Sequence, residues 1–250
     1  HPQDSNTVYV AAQGPLWNSG GDRGRYRSTD GGESWKRILD IDENTGINEF
    51  VIDAGNPDVI VASSYQRRRH VWTLINGGPG SGIHKTTDGG VNWKKIDNGV
   101  PGGDLGRIGL AAAPSAPNMI YAIIEANKKD KGVYRSTDFG ESWSKQSDHS
   151  TSSPQYYNEL YVDPNDAERV YAVDTFTHVS ADGGKSWEKI SFKNRHVDDH
   201  ALWIDPNNSS HIYIGGDGGV YESWDKGQLW RHVRNLPVTQ FYRSTPDNDF

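Results

Sequence analysis

The sequence has no cysteine and a single methionine in 250 residues. Without cysteine, the chain can form no disulfide, no thiolate zinc site and no thiol nucleophile. Its apolar runs are far shorter than the roughly 20 residues that a membrane-spanning helix needs, so we expect no membrane insertion. It also lacks a Walker loop, a Rossmann glycine fingerprint and a serine-hydrolase elbow, and nothing in the pattern indicates a cofactor.

An excess of basic residues is also missing, since 26 Lys and Arg residues stand against 33 Asp and Glu residues, for a formal net charge of −7. Proteins that bind nucleic acid generally use a basic surface to displace counterions from phosphates, so we predict no nucleic-acid partner. Hydrophobic residues make up only 34% of the chain, whereas glycine occurs 28 times and tryptophan 9 times. This composition is typical of many short strands joined by tight turns, and we expect few helices.

An eight-residue pattern, Ser/Thr-x-Asp-x-Gly-x-x-Trp, occurs five times, and the last copy is the least regular. Its aspartate and tryptophan positions are Asp30 and Trp35, Asp88 and Trp93, Asp138 and Trp143, Asp182 and Trp187, and Asp225 and Trp230. Successive tryptophans are 58, 50, 44 and 43 positions apart. A period in this range matches one four-stranded blade of a β-propeller.

Each copy lies between two strand-like segments, so the pattern predicts a hairpin turn of the kind called an Asp box. The aspartate can accept hydrogen bonds from backbone N–H groups of its own turn, and the glycine two positions later provides a positive φ angle. The tryptophan is expected to anchor the outgoing strand between two sheets. We therefore assign the box residues a structural role and exclude their aspartates from catalysis.

Two further strand-like segments precede each box and complete a blade of four antiparallel strands. The sequence thus predicts an all-β fold, with one β-propeller or partial propeller over residues 1–250. The predicted blades are strands B to D of blade 1 at 7–40, blade 2 at 47–97, blade 3 at 105–147, blade 4 at 156–191, blade 5 at 199–234, and the first strand of a further or closing blade at 240–250.

The chain ends allow two arrangements of these blades. The last strand could close blade 1 into a ring of five blades, or the chain could be an arc of a propeller with about seven or more blades. The abrupt ends favour the arc, as an excerpt of a longer protein. Such an arc has unpaired strand edges, which we expect to pack against further blades or a second propeller of the parent chain.

With the five boxes in place, residues 64–72, 200–206 and 235–242 resemble stretches of bacterial neuraminidase-repeat proteins, and specifically of the sortilin-like propeller proteins of bacteria. Such proteins are often labelled glycosyl hydrolases. The resemblance covers essentially the whole chain. It implies secretion or a cell-surface location, a parent with several propellers and, as in sortilin, protein or peptide binding in a propeller tunnel. Xyloglucan-hydrolysing glycosidases are similar in using tandem Asp-box propellers, with catalytic aspartates in the cleft between them.

The most distinctive polar segment contains His196, Asp198, Asp199 and His200, just before a predicted first strand. First strands line the channel of a propeller, so these side chains could hold a substrate hydroxyl or a divalent metal. A hydrogen-bonded polar loop is the simpler interpretation. We expect no metal, and His196, Asp198 and His200 are the weak candidates for ligands if one binds.

A basic cluster of Arg67, Arg68 and Arg69 lies close to Trp72, in a long insertion between the second and third strands of blade 2. Arginine beside aromatic residues can bind carboxylates, sulfates or acidic peptides. Packing over a neighbouring blade is the alternative. A sialidase is disfavoured, because it needs three dispersed arginines around one carboxylate, whereas consecutive residues of a strand point to opposite faces.

A glycosidase needs two carboxyl groups on either side of the sugar. Asp198, Asp199, Glu49 and Glu159 are the catalytic candidates, provided that neighbouring first strands bring them together.

Further candidates for a ligand-binding lining are Asn48, Tyr156, Tyr157 and Asn158, which lie near the starts of first strands. Together they could line a site for a sugar or a peptide, or they could simply pack between blades.

The leading prediction is a propeller that binds protein, peptide or glycan through its channel face and long loops without catalysis. The motifs that make the fold are complete, while no catalytic set is. The first alternative is a polysaccharide-cleaving glycoside hydrolase of the xyloglucanase type, and the second is a structural or secretion-associated interaction module. The expected partners are therefore proteins, peptides or polysaccharides.

Overall fold

The computed structural model describes residues 1–236, whose regular elements are all β-strands, arranged in five antiparallel sheets. Within this range, no helix is long and apolar enough to cross a membrane. The strand predicted at 240–250 lies outside the described residues, so the choice between a closed ring and an open arc stays a prediction.

The first two sheets differ in size. The first sheet contains three strands, β1 (Val8–Ala12), β2 (Gly24–Ser28) and β3 (Lys36–Leu39). The second contains five, β4 (Thr45–Ile52), β5 (Ile60–His70), β6 (Thr73–Asn76), β7 (Gly82–Thr86) and β8 (Lys94–Ile96). Strand β6 pairs only with the far end of β5, and it therefore extends the blade as a separate hairpin.

The other three sheets have four strands each, paired in chain order. The third is β9 (Ile108–Ala112), β10 (Ile120–Ile124), β11 (Gly132–Ser136) and β12 (Ser144–Ser147). The fourth is β13 (Glu159–Asp163), β14 (Asp166–Val173), β15 (His178–Ser180) and β16 (Glu188–Lys189). The fifth is β17 (Asp199–Asp205), β18 (Asn208–Gly216), β19 (Gly219–Ser223) and β20 (Arg231–His232).

The core lies between neighbouring sheets, as strand β10 illustrates. All five of its residues are buried. Ile120 belongs to the same apolar cluster as Val61 of the second sheet, whereas Tyr121 belongs to the same cluster as Val170 of the fourth. Because successive side chains point to opposite faces, one strand made entirely of hydrophobic residues contributes to both interfaces.

The Asp boxes form the hairpin turns between the last two strands of each sheet. In the third box, Ser136 Oγ and the backbone N–H of Ser142 both donate to Asp138 Oδ1, at 2.7 and 2.9 Å. Gly140 has a φ of 83°, and its N–H donates to Ser136 Oγ at 2.7 Å. This left-handed conformation suits glycine, so the turn requires both the aspartate and the glycine.

The least regular box keeps the same geometry. Ser223 Oγ donates to Asp225 Oδ1 at 2.8 Å, and the N–H of Leu229 donates to the same atom at 2.9 Å. In the first and fourth boxes, serine hydroxyls and backbone N–H groups hold the pKa of Asp30 and Asp182 well below the ordinary range. The prediction of an all-β propeller fold with four-stranded blades and Asp-box hairpins is confirmed.

Each box tryptophan from the second sheet onward packs against the preceding sheet. Trp143 is 6% exposed and lies in the cluster shared with the second sheet, and Trp230 is 8% exposed and lies in the cluster shared with the fourth. Trp35 departs from the expected anchoring role, because it is 43% exposed. It belongs to the first sheet in chain order, so among residues 1–236 there is no earlier sheet for it to pack on. Its indole N–H donates to the carbonyl of Gly32 at 2.9 Å.

Candidate functional site

The first strands of the second, third and fourth sheets lie side by side, and polar side chains join them. Asn48 Nδ2 donates to the carbonyl of Ile108 at 2.9 Å, and the N–H of Leu110 donates to Glu49 Oε2 at 2.7 Å. Asn158 Nδ2 donates to the carbonyl of Arg107 at 2.8 Å. Side chains of the second and fourth sheets thus bond to the backbone of the third sheet, so the polar residues predicted on the first strands are brought together here.

Arg107 lies at the centre of this group, directly before β9. Its Nε donates to Asn48 Oδ1 at 3.1 Å, and its Nη2 forms an ion pair with Glu159 Oε1 at 2.8 Å. The arginine side chain is 12% exposed and the glutamate side chain 30% exposed, so this pair reaches solvent. Asn48, Glu49, Arg107, Asn158 and Glu159 are called the first-strand cluster below.

Arg107 was not predicted from the sequence. A lone arginine before a strand carries no spacing signal. The one available indication is its position, because it precedes a first strand just as Asn158 precedes β13. Its role becomes visible only when the acceptors on two other sheets are known.

Glu49 is the most perturbed carboxyl of the first-strand cluster. Its pKa is raised to about 7, chiefly by burial and also by the charge of Glu159, while the N–H of Leu110 and the charge of Arg107 oppose the shift. The group is therefore divided between its protonated and ionised forms near neutral pH. In its protonated form, such a carboxyl can donate a proton, and in either form it can bind a hydroxyl group.

The two adjacent aspartate candidates have different surroundings. Asp199 forms a buried ion pair with Arg195 Nη1 at 2.5 Å, and it accepts a hydrogen bond from Thr177 Oγ1 at 2.6 Å. Both partners of the ion pair have side chains no more than 3% exposed. This placement favours a structural role for Asp199, because a ligand has no access to its oxygens.

Asp198 is more open and belongs to a separate polar group. Its carboxylate accepts a hydrogen bond from the Tyr157 hydroxyl. The ring of His200 stacks on that of Tyr157 at 5.4 Å, and its Nε2 lies 3.7 Å from Asp198 Oδ1 and 3.4 Å from Asp217 Oδ1. The His196 imidazole instead contacts the neighbouring carbonyl of Val197. Within residues 1–236, no three His, Asp or Glu side chains lie close enough together to hold a metal ion. His196 therefore does not form a metal site with Asp198 and His200.

Tyr156 and Asn158, which we predicted as part of a ligand lining, differ in accessibility. Tyr156 is 52% exposed, whereas Asn158 is 1% exposed. Asn158 adopts a φ of 62° and accepts a hydrogen bond from Thr151 Oγ1 at 2.7 Å. Strand β13 begins one residue later, at Glu159. The asparagine therefore fixes the backbone next to Arg107, and the open surface is formed by its neighbours.

The arginine segment, predicted to lie in a long insertion, forms a hairpin. Arg67, Arg68 and Arg69 extend strand β5 and pair with β6, and the turn at its tip carries Trp72. Trp72 is 82% exposed and stacks on His70 with ring centroids 5.4 Å apart. Because this segment is an extended strand, successive arginines point to opposite faces, and that arrangement disfavours a sialidase.

The class of protein is an Asp-box β-propeller, as shown by the sheets, their Asp boxes and the adjacent first strands. The chain belongs to the Sortilin-Vps10 family, whose model, described as sortilin, neurotensin receptor 3, matches residues 23–175. That match spans more than half of the chain, and the predicted resemblance to sortilin-like propellers is confirmed.

The chain is also similar to xyloglucanases. It is 25% identical over 267 residues to xyloglucanase Xgh74A of Acetivibrio thermocellus, covering 91% of this chain and 30% of that protein. It is 28% identical over 173 residues to a probable oligoxyloglucan-reducing end-specific xyloglucanase of Neosartorya fischeri, covering 66% of this chain and 18% of that protein. The chain thus spans less than a third of the length of these relatives.

A solved structure confirms the fold. The crystal structure of an ancestral GH74 enzyme superposes with a TM-score of 0.62 at 19% sequence identity, covering 92% of this chain and 32% of that chain. The predicted likeness to proteins labelled glycosyl hydrolases is therefore confirmed.

Proposed function

We propose that this chain is the polysaccharide-binding part of a glycoside hydrolase, and that the polysaccharide contacts the first-strand cluster. The observation that carries the proposal is the solvent-reaching ion pair of Arg107 and Glu159, which is joined to Asn48 on a third strand. Planar charged and amide groups fixed by several hydrogen bonds are suited to sugar hydroxyls, because they are held in place before the ligand arrives. Relatives named xyloglucanase support a polysaccharide as the ligand class.

Hydrolysis is a second candidate function, and Glu49 favours it. A general acid works best with a pKa near the working pH, and burial raises the pKa of Glu49 to about 7. In this reaction, protonated Glu49 donates its proton to the glycosidic oxygen. A second carboxylate then either activates water or attacks the sugar carbon, and Glu159 is the carboxylate in the same cluster. The non-catalytic binding propeller is the competing prediction, and it differs in releasing no product.

Secretion or a cell-surface location is part of the proposal. A polysaccharide of this kind lies outside cells, and the protein meets it there if it is exported.

Binding is tested by titrating xyloglucan into the unmodified protein and into its Glu159→Gln variant. The change should weaken binding about tenfold, since a hydrogen bond to a charged group contributes about 1.5–3 kcal/mol. The matched control is Glu168→Gln, because Glu168 forms a 3.0 Å ion pair with Arg135 that also joins the third and fourth sheets, away from the cluster. Equal weakening in both variants, or no binding by the unmodified protein, would contradict the proposal.

Catalysis is tested by the release of reducing ends from xyloglucan. If Glu49 is the acid, Glu49→Gln abolishes release while binding survives, because glutamine keeps an acceptor for the N–H of Leu110. Binding without release by the unmodified protein would instead support the non-catalytic propeller.

A further inference from the structure

Two connections from neighbouring sheets meet on one side of the molecule. One is the segment 13–23 between β1 and β2, and the other is the hairpin of β5 and β6. The N–H of Arg69 donates to the carbonyl of Leu16 at 2.7 Å, and Arg67 Nη1 lies 3.5 Å from Gln13 Oε1. Backbone and side-chain contacts therefore hold the two connections together as one surface, called the arginine surface below.

The arginine surface is positively charged in a chain whose net charge is −7. It carries Arg23, Arg67, Arg68 and Arg69, and none of these forms an ion pair with a carboxylate within residues 1–236. Arg23 donates instead to the carbonyls of Gln13, Pro15 and Asn18. Burial lowers the pKa of Arg23, and Asp42, the carboxylate that faces it, opposes the shift. Besides Arg23, the guanidinium groups of Arg67, Arg68 and Arg69 thus also lack a carboxylate partner within residues 1–236.

The same surface exposes aromatic rings. Trp17 is 54% exposed, and the Arg69 guanidinium lies 5.9 Å from its ring. Trp72 is 82% exposed at the tip of the hairpin. An indole face packs well against the C–H groups of a pyranose ring, while a guanidinium group binds a carboxylate through two parallel hydrogen bonds. The chemistry that satisfies both features in one molecule is that of a sugar carrying a carboxylate.

A hydrogen-bonded path joins the arginine surface to the first-strand cluster. Arg67 contacts Gln13, and Gln13 Nε2 donates to Asn48 Oδ1 at 2.7 Å. Asn48 in turn accepts from Arg107 Nε at 3.1 Å. The two sites are therefore neighbours, and one extended polysaccharide can occupy both.

We propose that the arginine surface binds the carboxylates of a uronate-containing polysaccharide, with Arg69 as the anion contact and Trp17 and Trp72 as stacking platforms. This inference rests on the proposed function for its ligand class, and it adds that the polysaccharide is acidic. Arginine is suited to this task because its planar group stays charged and matches the geometry of a carboxylate.

The test compares polygalacturonate, neutral xyloglucan and polyglutamate by calorimetric titration of the intact protein. Polygalacturonate should bind more tightly than xyloglucan, and its affinity should fall about tenfold or more between about 0.05 and about 0.5 M NaCl, because salt screens exposed charges. Arg69→Gln should weaken polygalacturonate binding about tenfold and leave xyloglucan binding unchanged, and Trp72→Ala should weaken polygalacturonate binding about tenfold. The control is Lys94→Gln, which removes a positive charge from a side chain that is 77% exposed on the outermost strand of the same sheet.

Other results of these titrations would overturn the acidic ligand, the saccharide or the proposed function separately. Binding of xyloglucan but not of polygalacturonate overturns the acidic ligand and leaves the proposed function standing. Binding of neither polysaccharide overturns both. Polyglutamate binding as tight as that of polygalacturonate overturns the choice of a saccharide. If Arg69→Gln leaves both the polygalacturonate affinity and the melting temperature unchanged, Arg69 is not a contact of the carboxylates and the proposal fails.

Discussion

At the scale of single residues, Arg25 shows how a charged side chain replaces part of the core. It lies on β2, where the corresponding residues of the second and third sheets are Ile83 and Val133. Its guanidinium lies 4.2 Å from the ring of Tyr9 and 4.4 Å from that of Phe50, and none of its nitrogens has a hydrogen-bond partner in the described structure. Burial lowers its pKa to about 10.

Replacing this arginine tests whether its charge stabilises the fold. We expect Arg25→Met to be neutral or to raise the free energy of unfolding by about 1 kcal/mol, because the aliphatic stem is kept and the buried charge is removed. Arg25→Ala should lower it by about 2–4 kcal/mol through the cavity that it leaves. Urea unfolding measures both. A loss in Arg25→Met as large as that in Arg25→Ala would show that the attraction of the charge to the aromatic rings dominates.

The raised pKa of Glu49 predicts how the free energy of unfolding depends on pH. Its pKa is raised from 4.5 to about 7 in the folded protein, so its contribution to stability is fully present below pH 4.5 and is lost as the pH rises through 7. Glu49→Gln removes this loss. The variant should therefore gain stability relative to the unmodified protein as the pH rises across this interval, as measured by unfolding free energies at several pH values. A difference that stays constant with pH would mean that the pKa of Glu49 is the same in the folded and unfolded states.

At the scale of elements, the Asp-box hairpin fixes one sheet on the next. The box aspartate organises the turn, and the tryptophan that follows reaches the apolar cluster of the preceding sheet. The sequence repeat therefore encodes an interface as well as a turn.

Two tryptophans in equivalent box positions allow a direct comparison. Trp143→Ala should destabilise the protein by about 3–5 kcal/mol, because it empties a buried site between two sheets. Trp35→Ala should cost less than about 1 kcal/mol, since Trp35 is 43% exposed. Thermal or urea unfolding checks the difference. Similar losses in the two variants would contradict the assignment of the tryptophan to the preceding sheet.

The arginine hairpin shows where sequence patterns fail at this scale. The strands of the blades were predictable because short apolar runs such as β10 lie between turn residues. The extension of β5 through three consecutive arginines has no apolar alternation, so the sequence predicted a long insertion there without indicating its strands. The hairpin that it forms with β6 contacts the segment 13–23, which lies in a different blade, and such a contact cannot be inferred from local pattern.

At the scale of the whole molecule, the fold is a row of sheets joined by apolar clusters and by buried polar groups. His84 accepts or donates a hydrogen bond at 3.0 Å to Ser64, and His149 stacks on Trp187 at 4.2 Å. Burial lowers the pKa of both histidines to about 4. Both are therefore neutral in the folded protein at neutral pH.

These histidines predict a loss of stability in acid that begins below about pH 6.5. Stability is fully present above the ordinary histidine pKa of 6.5 and is lost as the pH falls through 4, because the unfolded chain binds the protons first. The melting temperature should fall over this interval. His149→Phe, which keeps the stacking surface, should reduce the fall. An identical pH profile in the variant would exclude His149 as a cause.

The repeat made the fold predictable, whereas the site was predictable only in part. Asn48, Glu49 and Glu159 were named because propeller first strands meet at the channel. Arg107 was missed, since its partners come from two other sheets, and Asp199 proved to be buried against Arg195, four residues earlier in the chain. Which polar residue is open and which is buried depends on tertiary packing, and a repeat period does not contain that information.

Binding of a polysaccharide along the first-strand cluster is tested most directly by hydrogen exchange in the presence of a xyloglucan oligosaccharide. Binding there should slow amide exchange in β4 and β9, including that of the Leu110 N–H, which donates a hydrogen bond to Glu49, with no change in β15. Exchange that is unchanged in β4 and β9, or slowed only in strands away from this cluster, would contradict it.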